Sequence, residues 1–188
     1  MTHGAAPAPS GDTRPDGPRS GETHAEDTRF GGITVRLDTG AGTLEVEGRA
    51  VPRVALRRKP GGEVAGHVPI GTRDGTRLTL TVDGETVPVV PGKGRLLRRS
   101  YAVDVTCRGA RYRLVPDSLD GSRLLKDGRR LGRLSSDGDG IVLAEWREGA
   151  EVEAVDAALG YALAAAFGTG GQPWWMMAAD LVGILIPG

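Results

Sequence analysis

From Phe30 to about Trp146, hydrophobic residues recur at every second position, the period of a half-buried β-strand. In ITVRL, Ile33, Val35 and Leu37 share one face, and Thr34 and Arg36 share the other. Leu44 and Val46 repeat the pattern in TLEVEG. RLTLTVDGETVPVV is two alternating runs around Asp83-Gly84. That dipeptide signals a two-residue hairpin, because the central residues of a type I′ turn need positive φ, which Asp and Gly tolerate. YAVDVTC sets Tyr101, Val103, Val105 and Cys107 against Ala102, Asp104 and Thr106. ARYRLVP, SRLLKDGRRLGRL and SSDGDGIVLAEW continue the alternation, with turns at Asp127-Gly128 and from Asp137 to Gly140. Pro52, Pro60, Pro69, Pro88, Pro91 and Pro116 should mark strand ends or edges. About ten to twelve short antiparallel strands at this regular spacing predict a mainly β fold, a β-barrel or sandwich.

The pattern breaks at both ends. Residues 1–29 mix Pro, Gly, Asp, Arg, Ser and Thr with almost nothing apolar, so they predict a disordered tail that cannot offset its ordering entropy by burial. The single β-rich domain is expected over 30–188. Its last part, from EGAEVEAVDAALGYALAAAFG onward, changes to helix formers and predicts two apolar C-terminal helices, 152–167 and 173–186. Acidic residues open the first and Gly168 ends it; Pro173 suits the first position of the second. Both are shorter than the roughly 20 residues a transmembrane helix needs. Gly-Thr-Gly-Gly-Gln-Pro separates them, and Asp180 lies near the middle of the second. No transmembrane span is expected. A helix apolar on nearly all sides must be surrounded on nearly all sides, so at least one should pack against or inside the sheet.

Many short antiparallel strands followed by a hydrophobic helix with small residues (Ala157, Ala158, Gly160, Ala162, Ala164 to Ala166) resemble the tubby C-terminal-like family, which includes the LURP-one-related and scramblase-like proteins. The hairpin LLKDGRRLGRLSS is similar to one frequent there. The resemblance spans about residues 30–168 and implies a closed β-barrel threaded by an apolar helix near the C-terminus. The chain departs from that pattern in its second apolar helix, which leaves open which of the two is central.

Composition changes the picture in one place. Lys+Arg and Asp+Glu balance at 24 each. Yet residues 95–133 hold eleven basic and four acidic side chains, a local net charge of +7. Arg98, Arg99, Arg111, Arg113, Arg129 and Arg130 are the candidate anion-binding residues, suited to anionic lipid headgroups. Aromatic interleaving is limited to Tyr101 and Tyr112, so base stacking and a nucleic-acid partner are not expected. Trp174, Trp175 and Met176, in the Trp174–Met177 run, are candidates for a partner or membrane contact.

Catalytic chemistry finds little to work with. Cys107 is the single cysteine, on the apolar phase of its strand, and His67 is the one histidine outside the tail. They form a nucleophile–base pair only if the fold brings them together. DGDG at 137–140 begins like a calcium loop, but Ile141 stands where a further ligand belongs. GTGG at 168–171 lacks the Lys-Ser/Thr of a phosphate loop. No catalytic residue, metal site or cofactor is expected. The absence of an apolar leader and of any disulfide partner points to a cytoplasmic protein. The expected role is a non-enzymatic binding or scaffold domain; the alternative is a peripheral membrane protein using the Arg-rich 95–133 face and Trp174–Met177.

Overall fold

The computed structural model describes residues 20–94, 98–118 and 121–169, without the side chains of Arg98 and Arg99. The predicted helix 173–186 and the candidates Trp174, Trp175 and Met176 lie outside the described residues. Among the described residues there are twelve strands and one α-helix. The first sheet is an antiparallel meander of β1 (Ser20–Asp27), β2 (Gly31–Asp38), β3 (Thr43–Gly48), β4 (Val51–Arg58), β5 (Leu78–Val82) and β6 (Glu85–Val87). The second repeats that simple order with β7 (Val89–Pro91), β8 (Val103–Cys107), β9 (Ala110–Pro116), β10 (Gly121–Lys126), β11 (Arg129–Ser135) and β12 (Leu143–Trp146).

The alternation sets which face each strand buries. Ile33, Val35 and Leu37 are buried and pair across β3 with Gly48, Val46 and Leu44. Two predicted hairpins form where Asp-Gly permits positive φ at both central residues: Asp83 and Gly84 at 49° and 85°, Asp127 and Gly128 at 48° and 80°. Pro88 alone separates β6 from β7. It has no N–H to continue a ladder, but its carbonyl accepts the N–H of Thr106 at 3.2 Å, so the two sheets touch there through backbone. At the opposite margin β1 and β12 are joined by side chains. Thr23 Oγ1 donates to the Gly140 carbonyl at 2.6 Å, and Arg29 donates to the carbonyls of Ala150 and Arg147 at 2.7 and 3.1 Å.

The helix α1 (Ala154–Phe167) lies between the sheets, touching β2, β3 and β4 on one side and β9, β10 and β11 on the other. Every residue from Val155 to Phe167 is buried. It begins two residues later than the 152–167 pattern suggests, because Asp156 reaches back to accept the Glu153 N–H at 2.9 Å and so sets the first turn. It stops at Gly168, where φ is 69°. Its small residues let the sheets approach: a Cβ on Gly160 would lie 3.1 Å from Leu124 Cδ2 and 3.3 Å from Leu134 Cδ2.

The ordered part starts earlier than composition suggests. β1 pairs with β2 along its whole length, from Ser20↔Asp38 to Asp27↔Gly31, within the stretch read as tail. Its sequence, SGETHAED, is polar because most of the strand is exposed; β2 supplies the register. Only Asp27 is buried there, and it proves central to the packing.

The two ends of the molecule differ. The end where α1 starts carries tight turns, among them Asp83-Gly84, Arg108-Gly109 and Asp127-Gly128. The end where it finishes carries the long connections, 59–77, 92–102 and 136–142.

Candidate binding surface

Two buried carboxylates are the first places to look for chemistry, and both serve packing. Asp156, fully buried on α1, accepts Tyr112 Oη at 2.7 Å from β9, and Lys126 Nζ lies at 3.0 Å. Lys126 also pairs with Glu153. Asp27, 4% exposed, takes the reciprocal arrangement: Oδ2 accepts Tyr161 Oη from α1 at 3.0 Å and Trp146 Nε1 from β12 at 2.9 Å. Its Oδ1 accepts the backbone N–H groups of Arg29 and Phe30 at 2.8 and 3.1 Å. Each carboxylate thus bolts the helix to a sheet through a tyrosine.

Burial first, and then the adjacent carboxylate, raise Tyr112 and Tyr161 well above the ordinary tyrosine value of 10.0. In an unfolded chain both would ionise near that value, while the folded protein keeps them protonated. Their contribution to stability is therefore full below pH 10 and is lost as pH rises further. An ultraviolet titration should show these two of the three tyrosines ionising together with the loss of β circular dichroism. Smooth ionisation of all three near pH 10 in a folded sample would contradict that.

Among the described residues, the one cysteine and the loop histidine are not brought together. Burial pushes the Cys107 thiol up, away from thiolate. Cys107 ends β8 at the tight-turn end, whereas His67 lies in the 59–77 connection at the opposite end, so the fold does not pair them. Among the described residues no group of three His, Cys, Asp or Glu side chains could hold a metal ion. Asp137 to Gly140 forms the turn region between β11 and β12, with Asp139 capping the Ile141 N–H at 2.9 Å.

The charge surplus has a defined place. Arg111 and Arg113 flank inward Tyr112 on β9, Arg123 flanks inward Leu124 on β10, and Arg130 and Arg133 flank Leu131 and Gly132 on β11. The register sets Arg123 opposite Arg133 and Leu125 between Arg113 and Arg130, which gathers five guanidinium groups on the outer face of the second sheet. Asp104 lies 3.3 Å from Arg111 and 3.8 Å from Arg113. Asp117 lies 3.8 Å from both Arg130 and Arg133, too far for hydrogen bonding, and Arg133 Nη2 instead donates to Ser118 Oγ at 2.8 Å. Arg123 has no carboxylate among the described residues. The outer face of the first sheet is different. There Arg36 is held by Glu22 and Glu47, and Arg53 by Glu45, in close hydrogen-bonded pairs, while exposed Arg57 has no carboxylate within 4 Å among the described residues.

Of the residues singled out by sequence, Arg111, Arg113 and Arg130 therefore share one face. Arg129 is exposed at the tip of the β10–β11 hairpin, opposite inward-pointing Lys126. Arg98 and Arg99 sit in a short 3-10 turn, Arg98–Tyr101, at the long-loop end. Arg123 and Arg133 complete the face and were not singled out, because only strand register shows that they stand side by side.

Sequence reasoning also missed Arg73. Its guanidinium lies 5.3 Å from the ring centres of Tyr101 and Phe167, donates from Nε to the Gly92 carbonyl at 2.8 Å and from Nη2 to the Tyr101 carbonyl. Burial draws its pKa down to about 10, which leaves it charged at neutral pH. It ties the 92–102 connection to the last turn of α1.

No protein-family model matches the chain, and no curated protein or solved structure is significantly similar to it.

Proposed function

We propose that the chain is a non-enzymatic cytoplasmic binding or scaffold domain of tubby-like type, which meets an anionic partner through the outer face of its second sheet. The observation that carries this reading is the difference between the two outer faces: Arg36 and Arg53 closely paired with glutamates on the first, and Arg123 beside the more loosely paired Arg111, Arg113 and Arg130 on the second. The interior supports it, since α1 fills the space between the sheets and leaves the surface to bind. The tubby-like part of the reading rests on the resemblance in element order, many short antiparallel strands and then one buried, alanine-rich helix among the described residues. The fitting partner is an acidic protein segment, because extended carboxylates match a ladder of guanidinium groups.

A second reading is peripheral association with anionic lipid, favoured by the same arginines. One experiment tests both. A fluorescent poly-glutamate peptide and phosphatidylserine-containing vesicles are each titrated with the wild-type protein and with R111E/R113E/R123E, at low and high salt. The expected result is peptide binding that falls with salt, as screening at a Debye length of about 10 Å at 0.1 M requires, and is abolished by the triple reversal. Binding to the vesicles and not to the peptide would establish the second reading. Salt-independent or absent binding to both would remove the arginine face as the functional surface.

A further inference from the structure

The arginines on the outer face of the second sheet are bounded on both sides. They occupy three adjacent strands, β9, β10 and β11. An acidic residue stands in register at each margin: Asp104 on β8 opposite Arg113, and Glu145 on β12 opposite Arg133. The basic strip is therefore two strand spacings wide, about 10 Å at roughly 4.8 Å each. Near its middle stands an apolar side chain. Leu125 is half-buried on β10, next to inward Leu124 and so on the outer face. Arg113 lies opposite it on β9, Arg130 opposite it on β11, and Arg123 two residues away on the same side of its own strand. Arg113 and Arg130 meet carboxylates only at 3.8 Å among the described residues.

We propose that this strip binds one extended segment of a partner protein, in which an apolar residue seated on Leu125 is flanked by acidic residues two positions to either side. This partner narrows the arginine-face reading, on which it rests. The width favours a single chain: a flat anionic bilayer would extend past both margins and press its headgroups on Asp104 and Glu145, where like charges repel. The spacing follows from geometry the two chains share. Alternate residues of an extended strand are about 6.8 Å apart. A segment running along β10 with its apolar residue over Leu125 thus sets one neighbouring inward side chain over Arg123 and the other beside Arg111, which the Asp127 N–H places one row the other way. The chemistry disfavours a uniformly acidic segment. A carboxylate over Leu125 would lose water without gaining a donor. An apolar side chain there buries surface and removes water from the flanking ion pairs, which attract more strongly as screening falls.

Two fluorescent peptides test this: Glu-Ser-Glu-Ser-Leu-Ser-Glu-Ser-Glu, whose alternation puts Glu and Leu on one side, and the same chain with serine for leucine. Each is titrated at low salt with the wild-type protein, Leu125→Ala and Leu125→Met. The wild type is expected to bind the leucine peptide about ten-fold more tightly, a gain within reach of burying one leucine side chain. Leu125→Met should keep most of that preference, and Leu125→Ala should bring the two peptides to equal affinity while its circular dichroism stays that of the wild type. Equal affinity of the two peptides for the wild type would overturn the inference and leave the arginine face a purely electrostatic surface. So would a preference that survives Leu125→Ala, or an equal gain from Glu-Ser-Glu-Leu-Ser-Ser-Glu-Ser-Glu, in which leucine leaves the acidic side. Should Leu125→Ala not fold, the three peptides on the wild type still decide. Binding of phosphatidylserine vesicles but of no peptide would overturn the inference in favour of a membrane, and no binding at all would remove the arginine face as well.

Discussion

Replacing Asp27 with alanine is expected to cost about 3 to 5 kcal/mol of folding stability, the range for stripping the acceptor from several buried donors at once. Four donors converge on this carboxylate: the N–H groups of Arg29 and Phe30, Trp146 Nε1 and Tyr161 Oη. In the variant, Trp146 and Tyr161 lose their common acceptor, and with it go one of the links between the β1 and β12 margins and one of the two bolts on α1. Asp27→Asn should recover little, although it preserves shape. Both oxygens already accept two bonds, so an amide nitrogen placed at either would face donors. Urea unfolding followed by circular dichroism measures both variants. A loss below about 1 kcal/mol would mean that water satisfies these donors as well as the carboxylate does.

At Gly160 the expected result depends steeply on size. Alanine there gains about 1 kcal/mol of helix propensity over glycine and meets Leu124 and Leu134 at 3.1 and 3.3 Å, tight distances that the two flexible leucine tips can relieve. Gly160→Ala should therefore change stability by less than about 1 kcal/mol in either direction. Gly160→Leu has nowhere to place its branch, because α1 is enclosed from both sides. It should cost about 3 kcal/mol or more, at or beyond the usual upper range for overpacking, and broaden the unfolding transition. A stable Gly160→Leu protein would show that the sheets can part, and would revise the reading of α1 as a rigid filler.

How much of this was legible depends on where each signal resides. Local signals read well: alternation at Ile33, Val35 and Leu37, Asp-Gly turns at 83 and 127, and a nearly uniform apolar stretch that becomes a helix enclosed on all sides. β1 was invisible because both of its faces are largely polar, and its strand character comes from β2. Asp27 looked like one more acidic tail residue, since the donors that give it a role arrive from 119 and 134 positions away. The arginine face was half legible. The local surplus shows in a count, but Arg123 joins Arg111 and Arg113 only through the pairing of β9 with β10. Arg73 could not have been found, because its ring partners Tyr101 and Phe167 belong to distant segments.

The position of α1 after all twelve strands has a consequence for the moment of synthesis. As the chain leaves the ribosome, two meanders can form their local hairpins early, yet neither has anything to cover its inner face. Ile33, Val46, Leu56 and Leu80 wait on contacts from residues made roughly a hundred positions later. Until Leu159 and Leu163 emerge, the nascent protein is a pair of sticky half-shells, the kind of species that pairs with its neighbours on a crowded polysome. A pause or premature stop just before residue 154 should accordingly yield aggregated product, and one after 169 a folded core, so the domain's burden on chaperones lasts until α1 has emerged.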